Sequence, residues 1–181
     1  TGLWYAATSG QLNTEHLWPQ SLGAEGAAKS DLHHLAPSLA TYNSARGNLP
    51  FGEVVASDWP AKNVGNPACA DNFAGHPQGC FSRRGQDTQG VQVFEPRDGF
   101  KGDVARAILY FAVRCGSSDC KPLPISQFDP AHPDVTVALY RKWNALDPPD
   151  DAERTRNDRI QARQKTRNPF IDHPELVDRL W

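Results

Sequence analysis

The chain has 181 residues, 22% of them charged, and a formal net charge of −2. At that length a globular chain buries about 70% of its unfolded surface, which excludes a peptide hormone, a collagen-like chain and a wholly disordered chain. The near balance of charge argues against a tight nucleic-acid binder of the uniformly basic kind.

Fourteen glycines and 15 prolines make about one residue in six, against about one in eight in ordinary chains, so many loops are expected between few regular elements. Leu17-Trp18, after Glu15-His16, reads as a short strand stopped by Pro19. Ser21 to Lys29 is a Gly/Ala-rich loop. Leu32 to Ala36 reads as a second short strand, ended by Pro37. Ser38 to Gly47 fits a short helix, with Pro37 near its start and Gly47 as its stop. The predicted order is strand, loop, strand, helix.

Residues 50 to 100 predict an irregular lobe with short strands such as Val91 to Phe94. Asp103 is the expected cap of a helix from Val104 to about Arg114, apolar nearly all round and therefore central and buried. Arg106 inside it calls for a local carboxylate or carbonyls. A second helix is expected from about Asp134 to Ala145, with Val135, Leu139, Trp143 and Leu146 as one apolar stripe. Asp147-Pro148-Pro149 ends it. A third helix starts at Asp150, with Glu153 three residues on in capping-box spacing. Arg156, Arg159 and Arg163 share one of its faces. No repeat is visible. The fold class expected is α+β: one loop-rich domain over residues 1–181 with a mainly helical C-terminal half.

No apolar run reaches the length of about 18 residues that a membrane span needs, so no membrane partner is expected. Thr1-Gly2-Leu3-Trp4 has neither a charged n-region nor an apolar h-region, and methionine is absent. That reads as a processed mature chain or an excised fragment. Cys69, Cys80, Cys115 and Cys120 lack zinc-finger spacing. They allow three connectivities. The close pairs Cys69/Cys80 and Cys115/Cys120 suggest two local disulfides, each worth about 2–3 kcal/mol in the chain-entropy model. Four reduced cysteines in a cytosolic chain are the alternative; two local pairs in loop-like sequence favour bridging and an oxidising compartment.

The chemistry concentrates in Glu15-His16-Leu17-Trp18-Pro19-Gln20-Ser21, Asp31-Leu32-His33-His34-Leu35-Ala36-Pro37 and Asn43-Ser44-Ala45-Arg46-Gly47-Asn48. Three of the six histidines, His16, His33 and His34, fall within this short span. With Glu15, Asp31 and Asn43 they supply a base and several hard oxygen ligands. Oxygen ligands with few nitrogens suit Mg²⁺, Mn²⁺ or Ca²⁺ better than zinc.

These stretches, TEHLWPQS at 14–21, SDLHHLAP at 30–37, NSARGNLPFG at 43–52, FEPRDGFKGDVARA at 94–107 and DAERTRNDRI with RNPFIDHPEL toward the end, resemble the endonuclease I family of secreted and periplasmic bacterial nucleases. That family carries a ββα-metal, or His-Me finger, site, which here would span about residues 14–48. The resemblance implies a metal-dependent, sequence-nonspecific endonuclease of DNA and RNA that leaves 5′-phosphate and 3′-hydroxyl ends, secreted or periplasmic, with Mg²⁺ as the cation and Mn²⁺ or Ca²⁺ as substitutes. A monomer is expected.

By the same resemblance His16 is the general base, and its ordinary pKa of about 6.5 suits the task. Glu15 and Asn43 are the cation's protein ligands. Asp31, His34 and Asn48 support them from behind. Several relatives carry an arginine at the scissile phosphate in a longer insert between the EH pair and the Asp31 position. Here Leu17 to Ser30 contains Lys29 and no arginine, so Arg46 is the expected substitute and Arg167 the second choice. Arg163, with Arg156 and Arg159, is either a solvated helix face or a wall that tracks phosphates.

Neighbouring strand residues point to opposite faces, so Glu15 and His16 can serve one phosphate only across it or where the strand ends. His33 and His34 taken alone read as structural, and Trp4, Trp18, Trp59 and Trp143 as core. Two other functions use the same residues: a non-catalytic nucleic-acid-binding module of the same fold, and a zinc hydrolase built on the three nearby histidines.

Overall fold

The computed structural model describes residues 12–59, 82–115 and 136–179. Strand β1 (Leu12–His16) pairs antiparallel with β2 (Leu35–Leu39), with Leu12 opposite Leu39 and His16 opposite Leu35. Helix α1 (Ala40–Arg46) follows at once. The expected strand, loop, strand, helix order is present, with its bounds displaced.

The first strand stops at His16. Leu17 and Trp18, expected within it, lie in the bend beyond and are 4% and 0% exposed. A strand alternates its faces and cannot bury successive residues on one side, so the chain bends to do so. Trp18 stacks on Phe111 at 5.2 Å between centroids, and its Nε1 donates to the Leu22 carbonyl at 3.0 Å.

Leu32 to His34, expected as strand, forms a 3₁₀ turn. The cause is Asp31, whose carboxylate accepts the His33 N–H at 3.0 Å and caps the turn. Pro37 therefore lies inside β2 rather than at its end. It is exposed on a two-stranded sheet, where the missing N–H is tolerated at an edge. Gly47 closes α1 with φ of 54°, and its N–H donates to the Asn43 carbonyl at 2.9 Å. That backbone geometry suits glycine.

A second antiparallel sheet is ordered β3 (Ala56–Trp59), β4 (Arg83–Gln86), β5 (Gln92–Glu95). β5 lies within one residue of the strand expected at Val91 to Phe94. A parallel bridge between Phe51 and Phe94 ties this sheet to the segment after α1.

Helix α2 (Lys101–Cys115) begins earlier than expected because a 3₁₀ turn, Asp98–Phe100, runs straight into it. Asp103 is thus inside the helix, 3.2 Å from Arg106, rather than its cap. Val104, Ile108, Leu109 and Phe111 are fully buried, as expected of a central helix, while Val113 is 47% exposed.

Helix α3 (Thr136–Leu146) stops before Asp147-Pro148-Pro149. Its buried face is Thr136, Tyr140, Trp143 and Asn144; of the expected stripe Trp143 is buried, Leu139 packs partly buried against the core, and Leu146 is 56% exposed. That face brings Asn144 to Arg106, whose Nη1 donates to Asn144 Oδ1 at 3.0 Å and to the Asp147 carbonyl at 2.8 Å. Helix α4 (Asp151–Gln164) is capped as expected, with the Asp150 carboxylate accepting the Glu153 N–H at 2.7 Å. Glu153 Oε1 accepts Arg106 Nε at 2.9 Å, so one buried guanidinium joins α2, α3 and α4. Gly102 lets α2 and the end of α3 meet, since a Cβ there would stand 1.8 Å from the Asp147 carbonyl oxygen. The apolar core draws on all three described segments, from Leu17 to Val177.

Among the described residues no helix is long and apolar enough to cross a membrane. The two expected cysteine pairs, Trp4, Val135 and the Trp59 side chain lie outside what is described.

Candidate active site

The site is built where α1 lies along β1. Asn43, in the middle of α1, donates both amide hydrogens to β1, at 2.8 Å to Asn13 Oδ1 and 3.0 Å to the Thr14 carbonyl. Its own Oδ1 receives no hydrogen bond from a described residue. One turn further on, Arg46 reaches the next residues of the strand. Its Nη1 donates to Glu15 Oε1 at 2.7 Å and to the His16 carbonyl at 2.9 Å, and its Nη2 donates to the Leu17 carbonyl at 2.7 Å. The Nε donates to the Leu49 carbonyl at 3.1 Å, and the guanidinium lies 4.6 Å from the Phe51 ring centroid.

Glu15 is buried and uses one carboxylate oxygen for this ion pair. The other, Oε2, is buried without a hydrogen-bond partner among the described residues. Leaving such an acceptor unmatched costs about 1–3 kcal/mol. Glu15 also borders a cavity of about 30 Å³ whose other walls include Leu17, Phe51 and Phe94. Burial pushes the Glu15 carboxyl up to about 6, and Arg46 pulls it only part of the way back. A partly paired, desolvated carboxylate is a hard oxygen donor, as is an amide oxygen such as that of Asn43, and such donors suit Mg²⁺, Mn²⁺ or Ca²⁺.

His16, the last residue of β1, finds its partners on different elements from Glu15, as strand alternation requires. Its Nε2 donates to the Lys29 carbonyl at 3.2 Å. That bond puts the ring proton on Nε2 and leaves Nδ1 as the basic nitrogen, which accepts from the exposed Gln20 Nε2 at 3.4 Å. The ring is half-buried, and burial lowers its pKa from the usual histidine value. It packs edge-on against His34 at 5.6 Å between centroids. His34 is fully buried, donates from Nε2 to the Ala28 carbonyl at 2.8 Å and is pushed by burial to a pKa of about 4, so it stays neutral. His33 donates likewise to the Thr166 carbonyl at 3.2 Å.

Asp31 holds this loop from below. Besides the His33 N–H, it accepts Gln164 Nε2 at 2.7 Å and the Tyr110 hydroxyl at 3.1 Å, and it lies 2.9 Å from Arg114 Nε. Gln164, Tyr110 and Arg114 carry no motif that would have singled them out. Arg156, read as part of a surface row, instead donates to the Leu32 and Leu35 carbonyls.

The expected residues are thus brought together unevenly. Glu15, His16, Asn43 and Arg46 share the β1–α1 contact, with Asp31 and His34 behind it. Asn48 is exposed in the turn after α1. Arg46 differs from the expectation that it meets the scissile phosphate: it is 2% exposed, and its donors face Glu15 and backbone carbonyls. Arg167, the second choice, is tied by Nη1 to Asp158 at 2.6 Å and by Nη2 to Asp172 at 2.7 Å. Arg163 is exposed on α4 and pairs with no described residue. The three-histidine zinc arrangement is not formed: no group of three His, Cys, Asp or Glu side chains able to hold a metal exists among the described residues.

The family model described as Endonuclease I matches residues 2–175. The chain is 38% identical to an extracellular ribonuclease of Bacillus subtilis (strain 168), over 95% of this chain and 54% of that protein. It is 37% identical to an extracellular ribonuclease of Bacillus amyloliquefaciens, over 95% of this chain and 54% of that protein. An extracellular deoxyribonuclease of Aeromonas hydrophila is 30% identical over 80% of this chain and 49% of its own length. The chain thus spans about half the length of the curated relatives it matches. With the match covering nearly every residue and the β1–β2–α1 unit formed as that family's motif requires, the chain belongs to the endonuclease I family.

Proposed function

We propose that this chain is a divalent-cation-dependent endonuclease that hydrolyses phosphodiester bonds of DNA and RNA without sequence preference, leaves 5′-phosphate ends and acts outside the cytoplasm. The observation that carries the reading is Glu15 Oε2, a buried acceptor with no partner among the described residues, beside the strand end that holds His16. Glu15 and Asn43 are the residues that would hold the cation. When bound, Mg²⁺ supplies positive charge that stabilises the phosphate and the departing 3′-oxygen as negative charge develops. His16 acts as the general base: once the attacking water takes the place of the exposed Gln20 amide at Nδ1, that nitrogen accepts the water's proton as its oxygen bonds to phosphorus and the P–O3′ bond breaks. The Lys29 carbonyl keeps the ring proton on Nε2, and the lowered pKa keeps the base unprotonated at neutral pH. Contacts to phosphate and sugar carry no sequence information, which supports low specificity. The relatives' descriptions as extracellular ribonucleases and deoxyribonuclease support both substrates and the compartment.

The test is incubation of supercoiled plasmid and of a long RNA with the protein in Mg²⁺ and in EDTA. The expected result is nicking and RNA breakdown with Mg²⁺, neither with EDTA, and 5′ ends that accept radiolabel only after dephosphorylation. Cleavage undiminished by EDTA overturns the reading. Binding without cleavage in any divalent metal replaces it with a binding module.

A further inference from the structure

Arg46 makes an unusual set of contacts for an arginine beside a carboxylate. A guanidinium and a carboxylate commonly meet through two parallel hydrogen bonds. Here only Nη1 meets Glu15, at Oε1, and the same Nη1 also donates to the His16 carbonyl. Nη2, the atom that would complete a two-point pair, donates instead to the Leu17 carbonyl at 2.7 Å. One side chain therefore grips three consecutive residues, 15 to 17, where β1 ends and the chain bends away. The grip is rigid: Arg46 is 2% exposed, Phe51 lies against the guanidinium, and Nε is held by the Leu49 carbonyl.

We infer that Arg46 is a positioning residue of the cation site: it takes one oxygen of Glu15 and the backbone of His16, leaves the buried Glu15 Oε2 as the acceptor still to be matched by a cation, and sets the carboxylate and the strand end that carries the imidazole in one fixed relation. It does not touch the scissile phosphate. This inference rests on the reading of Glu15 as a cation ligand. Outer residues that orient a metal ligand are worth about 10- to 100-fold in metal affinity, and Arg46 belongs to that range. Lysine reproduces the charge but offers one nitrogen in place of the fork, so it cannot span Glu15 and two carbonyls.

The experiment measures Mn²⁺ affinity by titration calorimetry, and affinity for a DNA duplex in EDTA by fluorescence anisotropy, on the intact chain and its Arg46→Lys, Arg46→Met and Glu15→Gln variants. All are measured well below the melting temperature, and Arg46→Lys carries the test if Arg46→Met does not fold. The expected result is Mn²⁺ binding weakened at least about tenfold in the Arg46 variants, with DNA affinity within about twofold of the parent chain. Unchanged Mn²⁺ affinity in the Arg46 variants, with binding lost in Glu15→Gln, overturns the inference alone. DNA affinity that falls about tenfold or more while Mn²⁺ affinity holds makes Arg46 a phosphate contact and also overturns it. A Glu15→Gln variant that binds Mn²⁺ as tightly as the parent overturns the cation reading itself.

Discussion

His16 and His34 donate from Nε2 to neighbouring carbonyls of one turn, Lys29 at 3.2 Å and Ala28 at 2.8 Å, and their rings meet edge-on at 5.6 Å. The shared turn fixes both tautomers, yet only His16 is open enough to work on a substrate. His16→Ala is expected to cut plasmid at least about a thousandfold more slowly, within the span of general-base contributions. Its DNA affinity in EDTA and its melting temperature should stay near those of the parent, because the ring is half-buried and its two partners, the Lys29 carbonyl and the Gln20 amide, belong to exposed residues that can bond water instead. A variant that cuts within about tenfold of the parent rate removes His16 as the base.

His34 should be visible in the pH dependence of stability instead. Its folded pKa, about 4, lies below the ordinary 6.5, so the unfolded chain takes up the proton first as pH falls. The stability held by the neutral ring is complete above about 6.5 and is lost progressively down to about 4. At about pH 5 the loss is about 2 kcal/mol, from about 1.4 kcal/mol per unit. Glu15, with its pKa raised to about 6, works in the opposite sense, losing stability as pH rises through that range. Comparing the metal-free chain with His34→Phe cancels the Glu15 contribution. Urea unfolding at about pH 7.5 and about pH 5 should show the parent losing about 2 kcal/mol more than the variant. Parallel losses in the two proteins contradict a buried, neutral His34.

What was legible in the sequence was what depends on neighbours in the chain. Asp150 caps α4 through Glu153, three residues away, and Gly47 stops α1 through Asn43, four residues away. The TEHLWPQS and NSARGN stretches pointed to Glu15, His16 and Asn43 only through their resemblance to the family, and β1 and α1, which carry them, lie together. Contacts across the fold were not legible. Asp31 is held by Gln164 and Tyr110, 133 and 79 positions away, and nothing local marks either residue. Arg46 has the same spacing from Asn43 whether it faces solvent or β1; only the path of the strand decides. Pro37 read as a strand end because proline lacks a donor, and the two-stranded sheet has an edge where that lack is harmless. The α3 stripe held at Trp143 and in part at Leu139 but not at Leu146, where the buried Arg106 of α2 bonds Asn144 and that side of the helix faces inward.

Asp31 should matter to stability more than its distance from the β1–α1 contact suggests. Its carboxylate, 4% exposed, joins the Leu32–His34 turn to α2 and to the end of α4. Asp31→Ala leaves several buried donors unmatched and should cost about 3 kcal/mol, read as a lower urea midpoint at an unchanged slope. A cost under about 1 kcal/mol means those donors find other partners.

The basic residues of the C-terminal segment divide by what already holds them. Arg167 is tied to Asp158 and Asp172, so Arg167→Ala should lower the melting temperature and leave DNA affinity unchanged. Arg159 and Arg163 are exposed, share one face of α4 and pair with no described residue. Gln164, next to Arg163, donates to Asp31, so this end of α4 abuts the loop that holds His16 and His34. An Arg159→Ala/Arg163→Ala variant should melt like the parent. It should bind every duplex sequence more weakly in EDTA and show a slope of log affinity against log salt shallower by about 2, one phosphate per arginine. An unchanged salt slope makes this row a solvated face, and the phosphates must then be tracked by other cations of the chain.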